Sequence, residues 1–355
     1  MTLDLAPRPL PLLTQHLPGI GGAIKVTPED FSVEELPAYL PSGQGDHLYL
    51  WVEKRELGTQ EVARLIARAT GASERDVGYA GQKDRFATTR QWFSILTKRD
   101  AVPIDDPRVR VLAAARHNNK LRVGHSKGNR FGIVVRGVVP DALERARVIL
   151  AHLERTGLPN FFGPQRFGRR GDNAALGAAL LGLGDHPQRA RADRDRHLRR
   201  LALSALQSEI FNRCLADRMA DGTWDRVIAT DVLQKRGGGF FTTDDPVVDG
   251  ERVARGEVDV TGPLPGPRER PQASGEARAR EERVLAGCGV PREAFAAGGG
   301  EAEGARRAYR IALTGVELAS AGADSLVLSF PLPPGSYATR VLAEVMKADA
   351  DLPEA

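Results

Sequence analysis

The sequence predicts an α+β protein in which one domain interrupts another. Patterns typical of strands and of amphipathic helices occur both early and late in the chain. After Gly157 the composition shifts toward Arg, Gly and Ala, and a strand pattern returns near residue 326. Because an insertion leaves parts of its host on both sides, we expect one domain at 1–155 and 309–355 and an inserted domain at 156–308.

The first part of the chain alternates strands with helices. Three runs of apolar residues predict strands at 46–53, 92–96 and 131–135. A helix that Thr59 caps and Gly71 ends follows the first strand, because its apolar residues recur at helical spacing. A second helix, predicted on the same grounds, opens at Pro140 and ends at Gly157.

The middle of the chain is less regular. A helix near 198–219 places Cys214 on its apolar stripe, so we expect this cysteine in the core. Residues 261–308 are rich in Pro, Gly, Ala, Arg and Glu, which predicts long loops or partial disorder around one short helix. A strand at 326–330 and a helix at 337–346 complete the expected elements.

Composition limits the class of protein. The 355 residues leave room for two domains, and 41% hydrophobic with 27% charged residues is typical of globular chains. The two cysteines, Cys214 and Cys288, form no Cys-x-x-Cys pair, which argues against a disulfide framework and a zinc site. No apolar run approaches the length of about 18 residues that a membrane helix needs, and no leader pattern opens the chain. We expect a cytoplasmic protein with no metal and no membrane contact.

Positive charge is concentrated in two segments. The formal net charge is only +4, yet residues 116–136 hold six Lys or Arg and no acid. Residues 163–200 hold nine Arg against four Asp, so the rest of the chain sums to −7. Such clustering predicts a face that binds a polyanion, because phosphate neutralisation supplies most non-specific affinity for nucleic acid. The alternative is a pair of solvated charged faces.

A single acidic residue lies in a basic, aromatic, glycine-containing run at 78–92. Asp84 is flanked there by Lys83, Arg85 and Arg90, which favour its ionised form. A carboxylate in this setting can act as a nucleophile or a base. The alternative is that Asp84 closes a turn or pairs with an arginine.

Two other enzyme classes are disfavoured. Ser126 lies in a Gly-x-Ser-x-Gly pattern at 124–128, but the residues that follow predict a strand rather than the helix that a serine hydrolase needs. Lys127 and Gly128 fit better as a turn that carries a phosphate-facing cation. No phosphate-binding loop and no dinucleotide fingerprint occurs, so we expect no nucleotide cofactor.

The run around Asp84 resembles the signature of the TruD family of tRNA pseudouridine synthases. Five further segments match the family in order, and the resemblance leaves only 261–308 poorly matched. These segments are 24–34, 117–124, 128–131, 159–168 and 334–339. The resemblance implies a pseudouridine synthase core, with a mixed antiparallel sheet and flanking helices, interrupted by an inserted α/β TRUD domain that contributes to RNA binding.

The resemblance also implies an activity and a set of site residues. The activity is isomerisation of a uridine in tRNA to pseudouridine, usually at position 13, with no cofactor. Asp84 would be the catalytic carboxylate, whether it attacks the ribose, adds to the uracil or removes a proton to give a glycal. The implied contacts with the target nucleotide are Phe31, Asn129, Phe131 and Phe330, with Lys25 as the partner of Asp84. The alternative for each phenylalanine is ordinary packing in the core.

Basic residues near these motifs are the expected contacts with the RNA backbone. They are Lys83, Arg85, Arg90, Lys120, Arg122, Lys127, Arg130, Arg166, Arg169 and Arg170. We expect a monomer whose partner is tRNA. The alternative function is a non-catalytic RNA-binding or RNA-folding protein, but it does not account for a lone carboxylate at the centre of a basic face.

Overall fold

The computed structural model describes residues 3–348, and the chain forms two compact units. The outer unit comprises 16–155, 313–338 and 342–348. The inserted unit comprises 3–15, 156–312 and 339–341. The boundaries differ from the sequence expectation at 3–15, 309–312 and 339–341, which all pack with the inserted unit. Asp4 N donates to Cys288 O at 3.1 Å, and a guanidinium N–H of Arg213 donates to Ala6 O at 3.2 Å.

Fifteen strands and eight α-helices lie along the described residues. The early elements are β1 (Gly21–Ala23), β2 (Phe31–Pro37), β3 (His47–Lys54), α1 (Thr59–Thr70), β4 (Gly78–Tyr79), β5 (Thr88–Leu96), β6 (Val109–His117), β7 (Ser126–Val138) and α2 (Ala142–Thr156). The middle elements are β8 (Leu158–Pro159), α3 (Asn173–Leu180), α4 (Arg189–Ala192), α5 (Arg196–Ala220), β9 (Val232–Lys235), β10 (Phe240–Thr242), α6 (Pro246–Ala254), β11 (Val258–Leu264), α7 (Gly275–Cys288), β12 (Ala305–Ala308) and β13 (Arg310–Ile311). The late elements are β14 (Glu317–Gly322), β15 (Ser325–Leu332) and α8 (Ala338–Met346).

The outer unit is built on a nine-stranded mixed sheet. Its strand order is β14-β15-β7-β2-β5-β3-β6, with β1 added to β7 and β4 added to β5. The pair β2–β5 is parallel, and the other pairs are antiparallel. The predicted α+β class is therefore confirmed, and the early strand β2 joins the late strand β15 through β7.

Helix α1 packs on one face of this sheet and positions the loop after β4. The core here is formed by apolar side chains of β3, β5 and α1, namely Leu48, Leu50, Val52, Val62, Ile66, Phe93 and Ile95. Burial of each such side chain contributes about 1.5–3 kcal/mol. The helix ends at Gly71 as predicted, with φ 74°. Thr59 is the first helical residue, and the cap position before it is occupied by Gly58. The Glu61 carboxylate accepts the Gly58 N–H at 2.6 Å, so the Thr59 hydroxyl is not needed for capping.

The expected turn at Lys127–Gly128 is wrong, because both residues lie in strand β7. The chain turns earlier, at Gly124 with φ 94°. Gly128 has φ 146°, and a Cβ there would collide with the backbone carbonyl of Leu332 on β15. The glycine is needed for close approach of two strands rather than for a turn.

The inserted unit combines a four-stranded sheet with helices. The sheet order is β10-β9-β11-β12, and the strands are antiparallel. Helix α5 packs against both α3 and β11, and Cys214 on α5 is buried as predicted. Within residues 3–348, no helix is both long enough and apolar enough to cross a membrane.

The expectation of long loops at 261–308 is wrong. The segment contains the end of β11, the 14-residue helix α7, a 3-10 helix at Arg292–Glu301 and β12. Buried ion pairs hold these elements together. Arg306 binds both Glu269 and Glu281, at 2.9 and 2.7 Å, and Arg292 binds the same two carboxylates. The charged composition that predicted solvated loops is thus part of the core.

Candidate active site

Asp84 lies on the loop between β4 and β5, and both of its carboxylate oxygens are held. Oδ2 accepts from Lys25 Nζ at 2.6 Å, and Oδ1 accepts the Phe86 backbone N–H at 3.0 Å. The side chain is 32% exposed, so the remaining lone pairs face solvent. A half-exposed carboxylate in fixed orientation can attack an electrophilic carbon or take a proton from a bound molecule.

Lys25 supplies the positive charge against Asp84. Its side chain is only 6% exposed, and its ammonium lies 4.6 Å from the centre of the Phe31 ring. The backbone at Lys25 is left-handed, with φ 56°, a conformation that costs free energy in a residue with a side chain. The structure therefore brings Lys25 and Asp84 together, as the family resemblance implied, at a strained backbone position.

Lys54, at the end of β3, is a site residue that the sequence reasoning missed. Its side chain is 0% exposed, and Nζ donates to Leu57 O at 2.5 Å and to the backbone carbonyl of Asp84 at 2.8 Å. The pKa of Lys54 falls to about 8, mainly because the side chain is buried; the carboxylates of Asp84 and Glu61 act against this shift, and the charge of Lys83 acts with it. Lys54 thus holds the backbone of the Asp84 loop from its buried side.

A chain of hydrogen bonds fixes the rest of this loop. The buried Thr59 hydroxyl donates to Gln91 Oε1 at 2.9 Å and accepts the Lys83 backbone N–H at 2.9 Å. Gln91 Nε2 donates to Gly81 O at 3.1 Å. Two side chains on α1 and β5 therefore hold the backbone before Asp84, which orders the carboxylate before any substrate binds.

Lys83 does not have the placement expected of a phosphate contact. Its side chain is 5% exposed, and Nζ lies 3.0 Å from Oε2 of the buried Glu35. Burial raises the pKa of Glu35, although the ammonium of Lys83 and the Trp92 N–H act in the opposite direction. The Lys83–Glu35 pair ties the Asp84 loop to β2, and an ammonium in this position is not available to RNA.

Three aromatic rings meet on neighbouring strands β2, β7 and β15. The Phe31 and Phe131 rings lie 6.2 Å apart in an edge-on arrangement, and the Phe131 and Phe330 rings lie 5.9 Å apart. All three are buried, and Phe330 is 0% exposed. The family resemblance implied contacts with the target nucleotide for each of them. In this structure they form one apolar cluster, with Phe31 directly below the Lys25 ammonium.

Asn129 on β7 carries an unsatisfied acceptor. Its Oδ1 atom is buried and has no hydrogen-bond partner among the described residues. The residue pairs with Glu35 of β2 on one side and with Leu332 of β15 on the other. A buried amide oxygen without a donor costs about 1–3 kcal/mol, so it marks a place where a ligand N–H is expected.

The basic residues of the outer unit differ in the number of ion pairs and hydrogen bonds that their side chains form within the protein. Exposed Arg85 lies 3.5 Å from Glu61, and exposed Arg90 pairs with Glu53 and Glu34, which raise its pKa. Lys120 donates to a backbone carbonyl at 2.6 Å. Three of the predicted phosphate contacts make no side-chain hydrogen bond and no ion pair within residues 3–348, namely Arg122, Lys127 and Arg130. These three cations are the freest of the set in the outer unit.

In the inserted unit, Arg166 is bound to helix α5 and two other arginines are exposed. Arg166 donates to the hydroxyls of Ser208, at 3.1 Å, and Ser204. Arg169 and Arg170 are exposed on a turn just after the 3-10 helix Pro164–Phe167. The two serine hydroxyls therefore hold Arg166 against α5.

The described residues do not form the nucleophile turn of a serine hydrolase or a cluster of metal ligands. Ser126 opens strand β7, and its hydroxyl donates to Leu36 O at 3.1 Å, so the Gly-x-Ser-x-Gly pattern is not a strand-to-helix nucleophile turn. Across residues 3–348, no three His, Cys, Asp or Glu side chains gather in a way that could hold a metal ion.

Comparisons with known proteins match almost the whole chain. A family model described as tRNA pseudouridine synthase D (TruD) matches residues 10–190 and 183–345. A tRNA pseudouridine synthase D from an Anaeromyxobacter species is 54% identical over 350 residues, which are 97% of this chain and 98% of that protein. A tRNA pseudouridine synthase D from Thermus thermophilus is 46% identical over 354 residues, which are 99% of this chain and 96% of that protein.

A solved structure has the same fold. It is the crystal structure of a Methanosarcina mazei protein described as the "Putative tRNA pseudouridine synthase D (TruD)", with a TM-score of 0.76 and 24% identity. The match covers 96% of this chain and 97% of that one. At this identity the likeness concerns the fold alone, and it agrees with the α+β class.

Proposed function

The chain belongs to the tRNA pseudouridine synthase D family, and we propose that Asp84 is the carboxylate that carries out its reaction. The protein is an isomerase that converts uridine in tRNA to pseudouridine. The reaction breaks the bond between uracil nitrogen 1 and ribose carbon 1′ and forms a bond from uracil carbon 5 to the same ribose carbon. Carbon 5 loses a proton and nitrogen 1 gains one, so the reaction needs no oxidant or co-substrate.

The geometry of Asp84 supports a direct part in this exchange. The carboxylate is half-exposed, oriented by Lys25 and by the Phe86 N–H, and carried on a loop that buried side chains hold in place. An ordered carboxylate can attack ribose carbon 1′, add to uracil carbon 6 or remove the ribose 2′ proton. In each case the Lys25 ammonium offsets the negative charge of the carboxylate. The hydrogen bonds from Lys54 and to Thr59 hold the backbone of the loop in place.

Asn129 gives the proposal its strongest single observation. Its buried Oδ1 atom has no donor among the described residues, and uracil presents one N–H, at nitrogen 3, once the base leaves the helix. We propose that this N–H fills the vacant acceptor. Phe31 and Phe131 would form the apolar floor below the base, with Phe330 behind them in the core.

The remaining proposals concern the RNA and the setting. We propose that the target is the uridine at position 13 of tRNA. The inserted segment 156–308 would contribute to RNA binding, with Arg169 and Arg170 on the phosphates. Arg122, Lys127 and Arg130 would do the same in the outer unit. We further propose a cytoplasmic monomer that uses no metal and no nucleotide cofactor.

Tritium release tests the proposal and separates it from passive RNA binding. A tRNA transcript labelled with tritium at carbon 5 of uridine loses its label when carbon 5 is joined to the ribose. The purified protein should release one equivalent of tritium per tRNA and none from a transcript in which position 13 is cytidine. Tight binding of both transcripts without release would contradict the enzymatic function, and equal release from both would contradict the position.

A further inference from the structure

We propose that the inserted unit carries a second nucleotide site, in which one unpaired base of the RNA packs into a cavity beside the turn Gly168–Gly171. The proposal rests on the proposed function, because it takes tRNA as the substrate. It concerns a place at which the RNA is held, distinct from the uridine that reacts at Asp84.

The cavity has a volume of about 280 Å³ and lies wholly within the inserted unit. Its wall consists mainly of apolar side chains, namely Leu5, Pro7, Leu10, Phe162, Phe167 and Ala174. A cavity of this size takes a single planar ring system, and its aromatic and aliphatic lining favours an uncharged flat group over a polar one. Phe167 is partly exposed, so its ring is available to a ligand.

A rigid turn holds two guanidinium groups at the mouth of this cavity. Gly171 N donates to Gly168 O at 3.0 Å, which places Arg169 and Arg170 at the two central positions of the turn. Both glycines are left-handed, with φ 79° and 70°. A Cβ on Gly168 would lie 2.7 Å from the Asn173 amide, and one on Gly171 would lie 2.9 Å from Pro7, so both ends of the turn lie close to neighbouring side chains. The turn therefore packs against the cavity wall with its two arginines outward.

An aromatic cavity with cations at its mouth matches one ligand chemistry, a nucleotide whose base is unstacked. The base packs on the rings and the flanking phosphates pair with guanidinium groups, as in proteins that bind single-stranded RNA. The acidic side chain at the cavity, Glu209, forms an ion pair with Arg213 at 2.7 Å. The charge of Arg213 therefore reduces the repulsion between Glu209 and the phosphates of the RNA.

Two polar groups of the lining are already paired within the protein, the amide of Asn212 and the guanidinium of Arg8, which binds Asp4. The Asn212 amide is used by the backbone of Phe162, because Oδ1 accepts from Phe162 N at 2.9 Å and Nδ2 donates to Phe162 O at 3.0 Å. The site should therefore hold a base by packing and accept any of the four, which suits a contact that sets position on the RNA rather than sequence.

The two parts of the site predict different responses to salt. Phe167→Ala should weaken tRNA binding by roughly 5–100-fold, because it removes the stacking of the base on an aromatic ring, with the slope of log K against log salt unchanged. Changing Arg169 and Arg170 to Ala should flatten that slope by about 0.7 for each phosphate that is no longer neutralised. Phe241→Ala is the matched control, because Phe241 is a half-buried ring of the same unit that lies outside the cavity.

Filter binding of wild-type protein and variants to tRNA at about 50–200 mM salt, with circular dichroism as a check of folding, decides the matter. Ultraviolet cross-linking of wild-type protein to tRNA should also give an adduct on the peptide that contains Phe167. Unchanged tRNA affinity in folded Phe167→Ala, or a loss of affinity no larger than in Phe241→Ala, would overturn the site. These binding results do not depend on tritium release, so failure of the second site and failure of the enzymatic function are distinguishable.

Discussion

Replacing Lys54 with Met should change how the stability of the protein depends on pH. Lys54 is fully buried, and burial lowers its pKa from 10.5 to about 8 in the folded state. Below pH 8 the lysine is charged in both states. Between about pH 8 and 10.5 the folded protein has released this proton while the unfolded chain still binds it, so the free energy of unfolding rises with pH across that window.

The size of the effect follows from the shift. A displacement of about 2.5 pKa units corresponds to about 3 kcal/mol of stability, absent at pH 7 and fully gained near pH 10.5. Lys54→Met removes the titration. It also leaves the carbonyls of Leu57 and Asp84 without their donor, which costs about 1–3 kcal/mol each but does not vary with pH.

Urea denaturation of wild-type protein and variant at several values from about pH 7 to 10.5 measures this difference. The gap between the two unfolding free energies should widen by about 3 kcal/mol in favour of the wild-type protein as the pH rises, because other titrating groups cancel in the comparison. Lys127→Met, which removes an exposed lysine, is the control. Parallel stability curves for Lys54→Met and wild type would refute the account of a buried ammonium below the Asp84 loop.

Three further predictions test other parts of the site. Asn129→Ala should slow isomerisation and weaken capture of the uracil, by roughly 1–3 kcal/mol in single-turnover kcat/KM; unchanged kinetics would exclude contact with the base. Lys83→Met should destabilise the fold by about 3–5 kcal/mol in urea denaturation, because Glu35 stays buried without its partner, and adding Glu35→Leu should recover most of that stability. Changing Arg122 and Lys127 to Gln should flatten the salt dependence of tRNA binding by about 0.7–0.9 per phosphate released and leave the rate at saturating tRNA unchanged; a lower saturated rate would mean that these residues act on chemistry.

The sequence located three helices and four strands of the outer unit, α1, α2, α8, β3, β5, β7 and β15, because their apolar residues form runs or recur at helical spacing. It predicted no strand at β1, β2, β4, β6 or β14. Helix α1 ends at Gly71 as predicted, since the spacing of its apolar residues and a left-handed glycine are local signals. The Asp84–Lys25 pair joins residues 59 positions apart, and it was expected only through resemblance to a family. Periodicity alone carries no information about such a contact.

The omission of Lys54 and the wrong placement of Lys83 share one physical cause, which is that local sequence does not show where a charge is buried. Lys54 follows Glu53 and precedes Arg55, a pattern typical of an exposed strand end, yet it is the most buried lysine of the site. Lys83 was expected to contact phosphate and is paired with Glu35 inside the protein.

The inserted segment shows the same effect on a larger scale. Residues 261–308 have the composition of solvated loops because they are rich in Arg and Glu. Their charges meet across long separations, since Arg306 contacts Glu269 and Glu281 in the core. Partners that lie 37 and 25 positions away leave no periodic signal.

The central claim is that Asp84 performs the isomerisation, and Asp84→Asn tests it most directly. Asparagine keeps the size of the side chain and removes the charge and the nucleophilic oxygen, so the loop held by Lys54 and Thr59 should persist. Under single-turnover conditions with tRNA tritiated at carbon 5 of uridine, we expect no tritium release above background while the tRNA affinity stays within a few-fold of wild type. Release at a tenth of the wild-type rate or faster would contradict the claim.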